Sequence, residues 1–188
     1  KGATTSPEAK AALLSGLEEK AYEVKDSLQL VPDSAALEGK MYGIVNLSVC
    51  NMRVEDDFFS EMTTQALMGM PVKVLQHRNW YRIQTPDNYI AWVHRVGIHP
   101  VTKAGLDAWN KADKIVVTSH YGFTYQQPDA KSQSVSDVVA GNRLKYEGKQ
   151  GGFYKVSYQD GRQAYISQSI SMPEKEWRAS LKQDASSI

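Results

Sequence analysis

Apolar residues recur at helical spacing only near the front of the chain. Leu13, Leu17, Ala21, Val24 and Leu28 follow one another at intervals of three or four, which places them on one face of a helix. Ser6 suits the cap and Pro7 the first helical position, so the pattern predicts a helix over residues 6–28, ended by Val31-Pro32-Asp33. Its stripe needs a surface to pack on, most simply a β module. From Lys40 onward the helical period gives way to short β-prone runs: Met41 to Val45, Leu47 to Cys50, Val72 to Leu75, Trp80 to Gln84 and Tyr89 to His94. Thr85-Pro86-Asp87-Asn88 reads as the hairpin turn between the last two. Thr102 to Asn110 predicts a connecting helix with Leu106 and Trp109 on one side. A second strand set runs from Lys114 to Ser169, with turns at Gly148 to Gly152 and Gln159-Asp160-Gly161. Ser171-Met172-Pro173-Glu174 then has the form of a capping box opening a further helix that carries Trp177 and Leu181.

The two strand sets are copies of one another, offset by about 73 residues. Gly69 through Leu75 lies over Gly141 through Glu147, and one inserted residue then brings Trp80 over Phe153, Asp87 over Asp160 and Trp92 over Tyr165. Short strands with tight turns in units of about 60 residues predict small, partly open barrels. The expected fold is mainly β: two small SH3-like β-barrels in tandem with an N-terminal helix and short helical connectors. The expected boundaries are 1–38 for the helical segment, 39–100 for the first module, 101–113 for the linker, 114–170 for the second module and 171–188 for the start of a further linker helix. Each barrel is marginal alone at this size, so packing between repeats and against the helices must supply the remainder.

Composition narrows the function. Of 188 residues 41% are hydrophobic and 23% charged, with a net charge of +1, and the Lys and Arg residues are scattered. No stripe exists to track phosphates, so no nucleic-acid partner is expected. The longest apolar runs fall far short of a membrane span. The opening Lys1-Gly2-Ala3-Thr4-Thr5-Ser6 has no apolar core of a secretory leader behind it, a start that a cleaved precursor and a trimmed chain would share.

Reaction chemistry is sparse. Cys50 sits in Val49-Cys50-Asn51 on an expected strand, and His77, His94, His99 and His120 form no local motif with it. A thiolate nucleophile needs an adjacent base and an oriented partner, so Cys50 reads as a small buried side chain. His94 and His99, five apart across a strand end, do not have zinc-ligand spacing with any Cys or carboxylate. No catalytic residue, metal or cofactor is expected. The aromatic residues Trp80, Tyr81, Trp92, Phe153, Tyr154 and Tyr165 could line a groove, but alternating positions on strands more often mean core, and Trp80 and Trp92 are assigned there.

The run Val49-Cys50-Asn51-Met52-Arg53-Val54-Glu55, with Ser60 to Gly69, Trp80 to Asp87 and Tyr89-Ile90-Ala91-Trp92-Val93, resembles a bacterial SH3 (SH3b) domain. More narrowly it is similar to the first of two such domains that precede an NlpC-type cysteine peptidase domain in γ-D-glutamyl-L-diamino acid endopeptidases (dipeptidyl-peptidase VI-like). The resemblance covers roughly residues 40–170, and it is tighter for the first repeat than for the second. It implies a front portion without catalysis, leading beyond Trp177 to Ile188 into a peptidase domain that is absent here, since no Asp-Cys-Ser-Gly-Phe motif occurs in this chain. It also implies a place in the cell envelope, periplasmic or secreted, and a cell-wall peptide of the L-Ala-γ-D-Glu-diamino acid type as partner. A free-standing peptidoglycan-binding or adaptor module is the alternative.

In that family a carboxylate and a tyrosine of the first SH3b domain bind the free amino group of the substrate's N-terminal L-alanine. By position the resemblance assigns these roles to Tyr89, before the Trp of Tyr-Ile-Ala-Trp, and to Glu55, with Glu61 as a rival. An ammonium needs a counter-charge and acceptors, which these side chains supply. The second repeat has Arg162 where the first has Tyr89, so the copies do not offer the same chemistry.

Overall fold

The computed structural model describes residues 2–20 and 23–185. The N-terminal helix, α1 (Pro7–Glu18), starts where expected: the Ser6 hydroxyl accepts from the Ala9 N–H at 3.0 Å, and Pro7 occupies the first position. It stops ten residues early. No residue of α1 is buried and Leu13 is half exposed, while Leu28, the last member of the expected stripe, lies in a strand. Leu28–Leu30 (β2) pairs in parallel with Gly2–Thr4 (β1), Gly2 opposite Leu28. That pairing, with Lys10 bridging Asp26 at 2.8 Å, turns the chain back on itself and ends the helical period. Ala21 falls outside the described residues.

Two seven-stranded antiparallel sheets follow with one topology. The first contains β3 (Tyr42–Val45), β4 (Val49–Arg53), β5 (Met62–Leu67), β6 (Pro71–His77), β7 (Trp80–Gln84), β8 (Ile90–His94) and β9 (Ile98–Val101), in the spatial order β5-β4-β8-β7-β6-β3-β9. The second contains β10 (Lys114–Val117), β11 (Tyr121–Tyr125), β12 (Ser134–Val139), β13 (Arg143–Gln150), β14 (Phe153–Ser157), β15 (Gln163–Ser167) and β16 (Ser171–Pro173), in the order β12-β11-β15-β14-β13-β10-β16. Every strand of the first has its counterpart in the second, so the repeat legible over residues 69–93 extends to the whole module. Both copies also bulge at the same place, between Val74 and Gln76 and between Tyr146 and Gly148.

Each sheet wraps its own core. The first is built on Val45, Met52, Val74, Ile83 and Val93, and the second on Ile115, Val138, Leu144, Val156 and Ile166. Trp80 and Trp92 are buried, as expected, at 6% and 7% exposure, but they lie outside the inner cluster of the first module. They stand on the opposite face of β7 and β8, and are covered from outside. Ser171 also departs from its expected role: its hydroxyl donates to the Ser167 carbonyl at 2.8 Å, and Ser171–Pro173 closes the second sheet against β10 instead of capping. The last helix, α3 (Glu174–Ala185), begins immediately afterwards.

The modules dock through equivalent turns. α2 (Lys103–Lys111), capped by the Thr102 hydroxyl, buries Trp109, whose indole N–H donates to the Gly69 carbonyl at 3.1 Å. The Arg143 N–H donates to the Met68 carbonyl at 3.0 Å, and Met68, from the first module, packs into the second module's core. The Asn142 amide donates to the Ser48 carbonyl at 2.9 Å, the Ser48 hydroxyl donates to Asp137, and the Asn46 amide donates to Asp160 at 3.1 Å. The docking thus combines the apolar insertion of Met68 with hydrogen bonds whose donors come from both modules.

Candidate functional site

Strand pairing decides which side chains share the outer face of the first module. In the β7–β8 hairpin, Trp80 lies opposite His94, Arg82 opposite Trp92 and Gln84 opposite Ile90. Residues opposite each other point to one side of a sheet, and the alternate set, Tyr81, Ile83, Ala91 and Val93, belongs to the core. The outer face therefore carries two tryptophans, a histidine and an arginine.

A loop covers part of it. After β4 the chain leaves the sheet over residues 54–61 and returns into β5. Its stem is closed by the Val54 N–H donating to the Glu61 carbonyl at 3.1 Å, by the Glu55 N–H donating to the Ser60 hydroxyl at 2.9 Å, and by the Arg53 guanidinium donating to the Ser60 carbonyl. Phe58 folds back with its ring 4.8 Å from Trp80 and 5.0 Å from His94. Phe59 projects outward and is 98% exposed.

Beside this loop, over Trp92, lies a groove of about 300 Å³. Glu55 and Asp56 form one wall, Gln76, Arg78 and Arg82 another, and Ala3 and Gln29 of the N-terminal segment close an end. The guanidinium carbons of Arg78 and Arg82 lie 5.7 and 5.9 Å from the Trp92 ring centre, within reach of the indole's negative face. Arg78 also pairs with Asp56 at 3.7 Å. Among the described residues neither Arg82 nor Glu55 has an ionic partner.

Of the sequence-predicted site residues, Glu55 lines this groove. Glu61 stands on the opposite stem of the same loop and does not line it. Tyr89 lies at the turn joining β7 to β8 and is 43% exposed. Its carbonyl accepts from the Thr85 N–H at 3.0 Å, and Asn88 beside it takes a left-handed φ of 67°. Glu55 and Glu61 are thus joined by one loop, with Tyr89 at the hairpin turn outside the groove. Sequence reasoning missed Arg78, Arg82 and the outward placement of Trp92. The signal was available in the parity of Arg82 and Trp92 against Ile83 and Val93.

Cys50 offers no chemistry. It is 2% exposed, its sulfur abuts Gly97, and burial pushes the thiol up to about 12. A nucleophile requires the opposite shift. The histidines serve as aromatic partners where they make contact: His94 as above, and His77 stacked on Tyr81 with ring centres 4.3 Å apart.

Residues 52–97 match the family model described as the bacterial dipeptidyl-peptidase Sh3 domain, and residues 125–171 match that of the bacterial SH3 domain. The chain carries two bacterial SH3 domains in tandem. Among solved structures, the SH3 pair is similar to an NlpC/P60 family protein from Bacillus cereus ATCC 10987 at 17% identity and TM-score 0.58, over 70% of this chain and 55% of that one. It is also similar to an NlpC/P60 endopeptidase from Photobacterium damselae subsp. piscicida at 13% identity and TM-score 0.52, over 76% of this chain and 35% of that one. The chain therefore spans about half or less of the length of these neighbours, and the likeness concerns the fold. No curated protein sequence matches it.

The two SH3 domains differ at the turn that carries Tyr89. In the second domain Arg162 takes that position, donates to Asp160 at 2.7 Å and lies 4.3 Å from the Tyr158 ring. Asp160 in turn accepts from Asn46 of the first domain. The second turn is consumed by docking, whereas the first leaves Tyr89 presented to solvent.

Proposed function

We propose that this tandem SH3 unit is the non-catalytic recognition region of a cell-wall cysteine peptidase of the NlpC type, acting in the cell envelope. It shapes the substrate cleft for muropeptides with a free N-terminal L-alanine, and a C-terminal peptidase domain cleaves the bond from γ-D-Glu to the diamino acid. Glu55 supplies the counter-charge for the substrate ammonium and the Tyr89 phenol supplies an acceptor, with Glu61 as the rival carboxylate on the other stem of the loop. The observation that carries this reading is the match of residues 52–97 to the bacterial dipeptidyl-peptidase Sh3 domain, a span that contains all three residues. The presentation of Tyr89 and the engagement of its counterpart Arg162 in docking support it further.

Specificity follows from electrostatics. A site poised for an ammonium leaves its carboxylate unpaired when the amine is blocked, and the cost falls on the wrong substrate. The test is turnover of free-amine and N-acetylated L-Ala-γ-D-Glu-diaminopimelate by the full-length enzyme. Glu55→Gln and Tyr89→Phe should each lower the ratio of free to blocked turnover about tenfold or more, the worth of a charge-assisted hydrogen bond. An unchanged ratio in both variants removes the assignment.

A second reading, a free-standing wall-binding module without catalysis, is favoured by one feature. On the outer face of the second domain Tyr121 and Phe123 pair edge to face at 5.2 Å and remain 58% and 36% exposed. Retention of the isolated chain on purified cell-wall sacculi, lost on Tyr121→Ala with Phe123→Ala, would support that reading.

A further inference from the structure

The 54–61 loop has a counterpart in the second domain. Residues 126–133 leave the sheet after β11 and return into β12 on the same stem. The Gln126 N–H donates to the Gln133 carbonyl at 2.9 Å, and the Gln127 N–H donates to the Ser132 hydroxyl at 3.2 Å. Ala130 takes the position of Phe58, and the loop contains no aromatic residue, so no ring folds back over the sheet. The face below differs in the opposite sense. On β11 the outward positions hold Tyr121, Phe123 and Tyr125, where β4 has Val49, Asn51 and Arg53. Gly122 and Thr124 between them face the core, Gly122 against Ile170 and Thr124 on the Tyr158 hydroxyl. Tyr165 lies opposite Tyr125, and Lys155 lies opposite Tyr165. Phe153 meets Tyr125 edge to face with ring centres 6.4 Å apart. The copy with the more aromatic face is the one without the cover.

Five rings and one lysine select a particular chemistry. Aromatic faces are negative and C–H bonds are positive at hydrogen, so a pyranose ring can lie with its C–H side flat on such a surface. Tyr and Phe supply that contact with few rotamers to freeze. From Tyr121 to Tyr125 the strip runs about 13 Å at about 3.3 Å per residue, which suits a chain of linked rings rather than one. Lys155 has no ionic partner among the described residues. Glu147, on the adjoining β13, is already held by Lys145 at 2.9 Å and by the Ser157 hydroxyl at 2.6 Å. An unpaired ammonium beside the rings complements an anionic group on the same ligand. Nucleobases also stack on aromatic platforms, but strand binding needs a cationic groove along the backbone, and one lysine in a chain of net charge +1 does not make one.

We propose that the outer face of the second domain binds an acidic glycan, a chain of pyranose rings stacked along β11 with a carboxylate on one ring paired to Lys155. The inference rests on the reading of this face as wall-binding and names the wall component it takes, the sugar strand and not the peptide.

The probe is peptide-free wall glycan, alternating N-acetylglucosamine with the carboxylate-bearing N-acetylmuramic acid, titrated into the 188-residue chain. A neutral N-acetylglucosamine oligomer of equal length is the comparison, and amide shifts are followed by NMR. The wild-type chain should bind the acidic strand about tenfold more tightly than the neutral one, the worth of a charge-assisted hydrogen bond. Shifts should fall on β11, β14 and β15 and spare β4, β7 and β8. Lys155→Gln should remove the preference for acid and leave neutral binding unchanged. Phe123→Ala should weaken both ligands about fivefold, the worth of an aromatic contact, and retained dispersion of the amide spectrum shows that each variant is folded. Retention of the chain on sacculi without binding to peptide-free strands would overturn the glycan assignment and leave the wall-binding reading standing. Binding to neither would overturn both. Equal affinity for acidic and neutral strands, an acid preference that survives Lys155→Gln, or shifts centred on the first domain would each overturn the proposal.

Discussion

Substituting alanine for Gly69 should uncouple the two SH3 domains, whereas the same change at Gly141 should not. Both glycines occupy the same turn in their respective domains, with φ of 83° and 86°, so both substitutions bear the same backbone cost of about 1–2 kcal/mol for a side chain in the left-handed region. What a new Cβ meets is different. At Gly141 it would touch only the tip of the Leu67 side chain at 3.1 Å, which can rotate away. At Gly69 it would run into the Arg143 carbonyl oxygen and lie 2.7 Å from the Arg143 Cβ, atoms fixed by the second sheet. Relief requires the turns to separate, which breaks the Arg143 N–H bond to Met68 and the Trp109 indole bond to Gly69. A buried donor left without a partner costs about 1–3 kcal/mol. Gly69→Ala should therefore destabilise the protein by about 3–8 kcal/mol and Gly141→Ala by about 1–2 kcal/mol. Urea denaturation of the three proteins measures the difference, and hydrogen exchange at the Arg143 amide reports whether the docking bond has opened. Equal losses, or unchanged exchange at Arg143 in Gly69→Ala, would refute the docking geometry.

Three further outcomes follow from the packing. Met68→Ala should cost about 2–5 kcal/mol, the range for deleting a buried large side chain. Its exchange signature should appear in β13 and β14 of the second domain although Met68 belongs to the first, and a loss confined to the first domain would contradict this. Thr124→Val removes the buried 2.6 Å bond to the Tyr158 hydroxyl and should lower stability by about 1–3 kcal/mol, measured by thermal melting; a neutral result would mean the tyrosine is satisfied otherwise. Burial alone would raise the Glu174 carboxyl, but hydrogen bonds from Arg178 and Arg143 outweigh it and hold it below the usual glutamate value. Its contribution is then complete above the unfolded glutamate value and lost as pH falls through the lower folded value. The stability gap between wild type and Glu174→Gln, measured by urea melts across pH, should be present at neutral pH and close on acidification.

Much of the fold is readable along the chain because its punctuation is local. Gly69 and Gly141 are required by positive φ, Asp87 and Asp160 mark equivalent turns, and the apolar alternation of β6–β8 recurs in β13–β15. What escaped depends on distant partners. The helical period through Leu28 is real as a pattern, yet pairing of Leu28 with Gly2 gives that residue a strand conformation, and tertiary pairing overrides the periodicity. Trp80 and Trp92 alternate correctly, but alternation fixes two faces without saying which is inner, and a loop carrying Phe58 can bury an outer tryptophan as well as a core can. The passage of Met68 into the neighbouring core depends on how the modules dock, which no single repeat encodes. The resemblance assigned roles to Glu55, Glu61 and Tyr89, of which only Glu55 lines the groove. Arg78 and Arg82 gain their meaning only when the hairpin sets them over Trp92.

The proposal that the first SH3 domain recognises the peptide is most directly tested by amide chemical-shift mapping of the chain with L-Ala-γ-D-Glu-diaminopimelate. The expected shifts lie in the 54–61 loop, at Tyr89 and around Trp92, with the equivalent positions near Arg162 and Tyr165 silent. Shifts centred on the second domain, or equal in both, would contradict it.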